Sequence, residues 1–141
     1  MDSTGVTVKQ VFEIGLRSDQ EIVRLRQIVR DQSIAQGFSL IDQTKFVTAA
    51  SELARNTLIY GGGGDAHLSV IANGTRTGLR LTFVDQGAGI PDLDRAMQDG
   101  FTSGSGLGLG LGGARRLSDE FEIHSEPGKG TTVSITKWKH R

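Results

Sequence analysis

Apolar residues recur at helical spacing in the first half of the chain and alternate at strand spacing in much of the second. Residues 6–14 (Val-Thr-Val-Lys-Gln-Val-Phe-Glu-Ile) are rich in β-branched side chains and partly alternate, which predicts a strand. Asp19 is placed to cap a helix running to about Gln36, with Ile22, Val23, Leu25, Ile28, Val29 and Ile34 mostly on one face and Gly37 ending it. Ser39 caps a second predicted helix through Tyr60, with Phe46, Val47, Ala50, Leu53, Ala54 and Leu58 inward, until Gly61–Gly64 stop it. Strands follow at about 66–72 and 78–84, joined by Asn73-Gly74, a hairpin signal. A short helix is expected over Asp92–Asp99, another over about 109–119, and closing strands near 120–125 and 131–138 around Pro127-Gly128-Lys129-Gly130. The predicted order β-α-α-β-β-α-α-β-β bunches its strands in pairs. It implies a single α+β domain over residues 1–141: a two-layer sandwich with helices on one face of a mixed, mostly antiparallel sheet.

Composition narrows the class. Hydrophobic content of 36% and charged content of 23% fit a globular chain. A net charge of zero gives no basic excess for nucleic acid and no polybasic membrane anchor. No apolar run approaches transmembrane length and no signal-peptide pattern opens the chain, so a cytoplasmic setting is expected. The absence of Cys excludes disulfides, thiol catalysis and Cys-ligated zinc. His67, His124 and His140 lack metal-ligand spacing, and Trp138 reads as edge packing or a partner contact. Glycine is the anomaly, with 20 residues in 141 against an average of about 7%.

The densest glycine run, Gly104-Ser105-Gly106-Leu107-Gly108-Leu109-Gly110-Leu111-Gly112-Gly113, leads directly into the helix signal Ala114-Arg115-Arg116-Leu117. Backbone N–H groups exposed at a helix entrance suit phosphate. The run contains GxGxxG from Gly108 to Gly113, but no strand precedes it as a dinucleotide fold requires. Gly128-Lys129 is not a Walker A sequence either, because Gly130 follows where Ser or Thr is needed. A phosphate-holding loop remains, anchored by Leu107, Leu109 and Leu111, where a plain linker would carry Ser or Asn.

Glu52 and Asn56 stand four apart on the second helix and share a face. Asn offers a neutral oxygen to Mg²⁺, and Glu can take a proton from an attacking hydroxyl. The commoner use of such a pair is a solvated stripe, but the flanking Ala49, Ala50, Leu53 and Ala54 suggest one polar edge on a packed helix. Asp85-Gln86-Gly87-Ala88-Gly89 ends an apolar strand, where a carboxylate can accept from an exocyclic amine such as that of adenine; an ordinary turn uses the same residues. Gly128-Lys129-Gly130-Thr131 in isolation reads as a turn.

In this order, Glu52-Leu53-Ala54-Arg55-Asn56, Asp85-Gln86-Gly87-Ala88-Gly89, Gly104 to Gly110, and Gly128-Lys129-Gly130-Thr131 resemble the N box and the three glycine boxes of the GHKL family. These are the Bergerat-fold ATP-binding domains shared by gyrase, Hsp90, histidine kinases and MutL-like ATPases. No motif is specific alone; the four together are. The small size, with no dimerisation domain or phosphoacceptor His segment upstream, is similar to the anti-sigma-factor and switch-kinase group. Ser51 to Asn56, Gly106 to Leu111, Arg115 to Phe121 and the ending Thr136-Lys137-Trp138-Lys139 look most like the stressosome switch kinases, over nearly the whole chain. Two departures are Gly112-Gly113, where that group has Pro-Gly, and the four glycines at 61–64.

The resemblance implies ATP and Mg²⁺ as cofactors. It implies Asn56 as the Mg²⁺ ligand, Glu52 as general base on a substrate hydroxyl, and Asp85 reading the adenine amine with Thr131 supporting through water. It implies that Gly87 and Gly89 shape the base pocket, that Gly104, Gly106, Leu107, Gly108, Leu109 and Gly110 form a lid over the phosphates, and that Arg55 lies near them. The implied activity is a protein serine/threonine kinase acting on a STAS-domain scaffold or antagonist and then activating a PP2C-type phosphatase. The competing expectations are an anti-sigma factor that binds a sigma factor, and an ATP sensor without turnover.

Overall fold

A computed structural model of the chain describes residues 5–90, 97 and 110–140. The chain runs β1 (Thr7–Leu16), α1 (Asp19–Ala35), α2 (Leu40–Ile59), β2 (Gly64–Asn73), β3 (Arg76–Asp85), α3 (Leu111–Arg116), β4 (Glu120–Glu126) and β5 (Gly130–Trp138). The expected helix over Asp92–Asp99 lies outside the described residues, apart from Met97, which packs against the core.

Both long helices begin on a serine. Ser39 accepts from the Asp42 N–H at 3.1 Å, as its position in the sequence predicts. At α1 the cap is Ser18, not Asp19: Ser18 is extended and its hydroxyl accepts from the Glu21 N–H at 3.3 Å. Asp19 instead lies in the first turn, where a carboxylate faces the positive end of the helix dipole. Leu25 and Val29 of α1 are fully buried, whereas Val23 and Ile34 point outward, 64% and 56% exposed. Counted from Leu25, they lie about 200° and 180° around the helix, on the opposite face.

The sheet order is β1-β2-β3-β5-β4, and each described ladder is antiparallel. This refines the expected mixed sheet. The helix pair returns the chain to the point it left, since Gly64 pairs with Leu16. β3, β4 and β5 satisfy the same rule because β5 inserts between β3 and β4, which run in the same direction. The β2–β3 loop is Gly74-Thr75, one residue later than the Asn73-Gly74 signal, with Gly74 at positive φ and Asn73 still paired to Arg76. The β1–β2 ladder slips at Lys9: Val8 faces Ile71, and Gln10 faces Val70.

Alternation along the strands sets the two faces. Ile14, Leu16, Ala66, Leu68, Leu79, Leu81, Phe83, Val133 and Ile135 form one core with Phe46, Leu53 and the alanines of α2. Ala49, Ala50 and Ala54 are fully buried, and their small side chains bring α2 close to the sheet. The opposite face is polar, carrying Thr82 bonded to Ser134 at 2.9 Å and Arg80 donating to Thr136 at 3.3 Å. At one end of that face Trp138 is buried with Val6 and Ile71, donates to Glu120 at 2.6 Å and stacks under Arg76. Trp138 thus holds a second small core and is not a free edge contact.

Candidate functional site

The helix-facing side of β3, β5 and β4 is layered. Phe83, Val133 and Ile123 align across the three strands as an apolar row. Two residues further along, the same register gives Asp85, Thr131 and Ser125. The sheet therefore passes from a greasy floor to a row of one carboxylate and two hydroxyls at its open end.

The turn after β3 is held on both sides. Asp85 accepts the Gly87 N–H at 2.9 Å. The Gly128 N–H donates to the Ala88 carbonyl at 2.6 Å, and the Ile90 N–H donates to Ser125 Oγ at 2.7 Å. Gly89 lies against the Glu126 carbonyl. Ser125 Oγ also lies 2.8 Å from Thr131 Oγ1 and 3.2 Å from the Gly130 carbonyl.

α2 supplies the third wall. Glu52 and Arg55 are exposed and Asn56 is half-buried, while Ala49, Ala50, Leu53 and Ala54 are buried. The helix therefore has one polar edge, as its flanking alanines suggest. It ends beside Asp85. A Cβ on Gly61 would stand 2.5 Å from the Asp85 side chain, and one on Gly87 would stand 2.7 Å from the Gly61 Cα. The two glycines thus let the end of α2 and the β3 turn touch backbone to backbone. The remaining glycines of the 61–64 run have their own causes: Gly62 and Gly63 take positive φ, and Gly64 abuts the Val84 carbonyl. The run is a fitted connection whose purpose the sequence does not reveal.

Gly110, at the far end of the long glycine run, caps α3 with φ +65 and no side-chain hydrogen bond. A Cβ there would lie 2.6 Å from Glu52 Oε2. The returning chain therefore rests on the Glu52 carboxyl group. α3 is shorter than the expected 109–119: it starts after Gly110 in the left-handed conformation and closes at Leu117, whose N–H donates to the Gly113 carbonyl. Its buried Leu111 and Ala114 hold it to the core.

Glu52, Arg55, Asn56, Asp85, Gly87, Gly89, Gly110 and Thr131 thus gather around one end of the sheet and the end of α2. Gly104, Gly106, Leu107, Gly108 and Leu109 lie outside the described residues. Sequence reasoning missed Gly61 and Ser125. The signal for Ser125 was its phase: it continues the inward alternation of Phe121 and Ile123 with a polar residue. Among the described residues no three His, Asp or Glu converge on a metal site. Of the three histidines, His67 lies 3.5 Å from Glu13, His140 lies 3.0 Å from Asp119, and His124 is exposed.

Residues 41–141 match the family of histidine kinase-, DNA gyrase B-, and HSP90-like ATPases. The chain is 41% identical over 125 residues to the serine/threonine-protein kinase RsbT of Bacillus subtilis (strain 168), covering 89% of this chain and 94% of that one. It is 36% identical over 112 residues to the anti-sigma F factor of Bacillus licheniformis, covering 74% and 75% of the two chains. The fold is shared with the RsbU and RsbW domains of a Mycobacterium tuberculosis protein (TM-score 0.64, 20% identity, 92% of this chain and 32% of that one). It is also shared with a chain of the SiaB-SiaC complex of Pseudomonas aeruginosa (TM-score 0.57, 14% identity, 93% and 90%).

Proposed function

The chain belongs to the family of histidine kinase-, DNA gyrase B-, and HSP90-like ATPases, and from that premise we propose that it is an ATP-dependent protein serine/threonine kinase of the switch type. Its substrate is a STAS-domain scaffold or antagonist, and after transfer it activates a downstream PP2C-type phosphatase. Residues 1–141 act as one nucleotide-binding domain working in the cytoplasm. Among the described residues no helix is long and apolar enough to cross a membrane.

The observation that supports this reading is that α2, which carries Glu52 and Asn56 on one face, ends against Asp85 and its polar strand-end row. Asp85 with Thr131 offers oxygen atoms at the rim, and the half-buried Ile123 offers an apolar side chain beside them for a planar base. The donor set also suits Mg²⁺. That ion keeps waters and substrate phosphates as most of its ligands, so the single neutral oxygen of Asn56 suffices where the described residues hold no carboxylate cluster. Mg²⁺ would neutralise phosphate charge there.

In the proposed reaction the acceptor hydroxyl forms a bond to the γ-phosphorus as the bond from that phosphorus to the bridging oxygen of ADP breaks. The hydroxyl proton passes to the Glu52 carboxylate. Arg55 and the Gly104–Gly110 lid bind the phosphates, while Gly87 and Gly89 shape the base pocket. Positioning and charge neutralisation supply most of the rate in such transfers.

The identity to an anti-sigma F factor favours one second reading, in which binding a sigma factor is the main task and phosphorylation is secondary. One assay separates the two. With ATP, Mg²⁺ and a cognate STAS-domain protein, phosphate transfer to a Ser or Thr of that protein is expected. Intact nucleotide binding with no transfer overturns the kinase reading, and capture of a sigma factor in its place establishes the second.

A further inference from the structure

Ser125 is more heavily engaged than any neighbour in the polar row. Its Oγ receives the Ile90 N–H at 2.7 Å, lies 2.8 Å from Thr131 Oγ1 and lies 3.2 Å from the Gly130 carbonyl oxygen. A serine hydroxyl has one proton and two acceptor lone pairs. The Gly130 carbonyl can only accept, so it takes the serine proton. The Ile90 N–H can only donate, so it takes one lone pair. The last lone pair then receives the Thr131 proton, and every hydrogen-bonding position of Ser125 is filled.

With the serine proton assigned to the Gly130 carbonyl, Thr131 is the donor to Ser125. With its proton committed to Ser125, Thr131 Oγ1 shows only lone pairs to the space beside Asp85, its register partner on β3. Asp85, when ionised, also only accepts. The rim thus presents acceptors alone, reached directly or through a water whose two protons they orient. A 6-amino purine supplies donors at that position, and a 6-oxo purine supplies an acceptor.

We infer that Ser125 is a positioning residue that sets the choice of purine, because it holds the Thr131 hydroxyl as an acceptor and ties the 85–90 turn to β4. This rests on the reading of Asp85 and Thr131 as the rim of an ATP pocket. Ser125 touches no reacting atom; it acts through Thr131 and Ile90.

The test measures binding of ATP and GTP, each with Mg²⁺, to the unmodified protein and to Ser125→Ala, Ser125→Cys and Ser125→Thr. In Ser125→Ala the Thr131 hydroxyl is free to turn and donate, so the ATP-over-GTP preference should fall by about tenfold or more. Ser125→Thr keeps the hydroxyl and should restore the preference to within about threefold. Ser125→Cys is nearly isosteric and bonds weakly; it carries the same expectation if the alanine form does not fold. General loosening of the site would weaken both nucleotides alike and leave their ratio unmoved. An unchanged ratio in folded Ser125→Ala or Ser125→Cys, with ATP binding intact, overturns the inference alone. Failure of the unmodified protein to bind ATP overturns the pocket reading and this inference with it.

Discussion

The two ends of the sheet are packed by opposite means. Around Asp85 close contact is reached by omitting side chains: Gly61 meets Gly87 backbone to backbone, and Gly130 lies against the Asp85 carbonyl. Around Trp138 it is reached by inserting them. The indole covers Ile71 and Val6 and lies on Gly78, where a Cβ would stand 2.7 Å from the ring. On the inner face beside it Lys137 is buried between Asp42 and Asp119, at 3.6 and 3.8 Å. Side chains that fill space hold the fold, and backbone left bare leaves donors and acceptors for a ligand. Glycine serves both ends. At Gly78 it seats a side chain of the protein itself, and at Gly61 it clears the approach to a carboxylate.

The largest effect belongs to the site end. Glu52→Ala should lower phosphotransfer about a thousandfold, the scale of a lost general base, with ATP binding retained. Equal transfer by the variant in a radiolabel assay would move the chemistry away from α2. Trp138→Ala comes next: it should cost about 3 kcal/mol of stability, read as a fall in Tm of roughly 10 °C, while the Kd for ATP stays within about twofold. Gly61→Ala should act on binding as well as stability: the added methyl presses on the Asp85 side chain and on the Thr57 carbonyl, so the ATP Kd should rise about tenfold along with a fall in Tm. If both variants shift Tm and Kd in proportion, the two ends are not separable. The smallest expected effect is a gain. Gly113 has open space where a Cβ would go, so Gly113→Ala should raise stability by about 0.5–1 kcal/mol in a denaturation curve. A loss there would mean that α3 needs the looseness.

The fold was legible where periodicity and a cap agreed. Ser39 and the Phe46–Ala54 face placed α2 within one residue of its ends, the alternation of Leu79 to Val84 placed β3, and the turn signal at Pro127 to Gly130 placed β5. It was less legible where two candidates competed for one role. Ser18 and Asp19 are both good caps, and the reach of Glu21 back to the Arg17 N–H, at 2.7 Å, decides for Ser18. The site was legible as motifs and not as a surface. Glu52, Asn56 and Asp85 could be named from spacing, but the partnership of Asp85 with Gly61 spans strand and helix ends that only the fold unites. Ser125 was half hidden: its phase after Phe121 and Ile123 marks it as inward-facing, but its pairing with Thr131 depends on the register of β4 against β5. Val23 and Ile34 misled because apolar residues on the outer face of a helix look like core until the helix is turned to scale.

The slip at Lys9 has a consequence for life in a crowded cell. β1 is an outer strand of the sheet, with Val8 and Val11 about half exposed, and an open strand edge can recruit stray chains into aggregates. At Lys9 the ladder breaks step, and a cation marks the break. An incoming strand would meet an interrupted template and a charge, both of which oppose its growth. The exposed edge of the sheet thus carries its own protection against unwanted strand pairing.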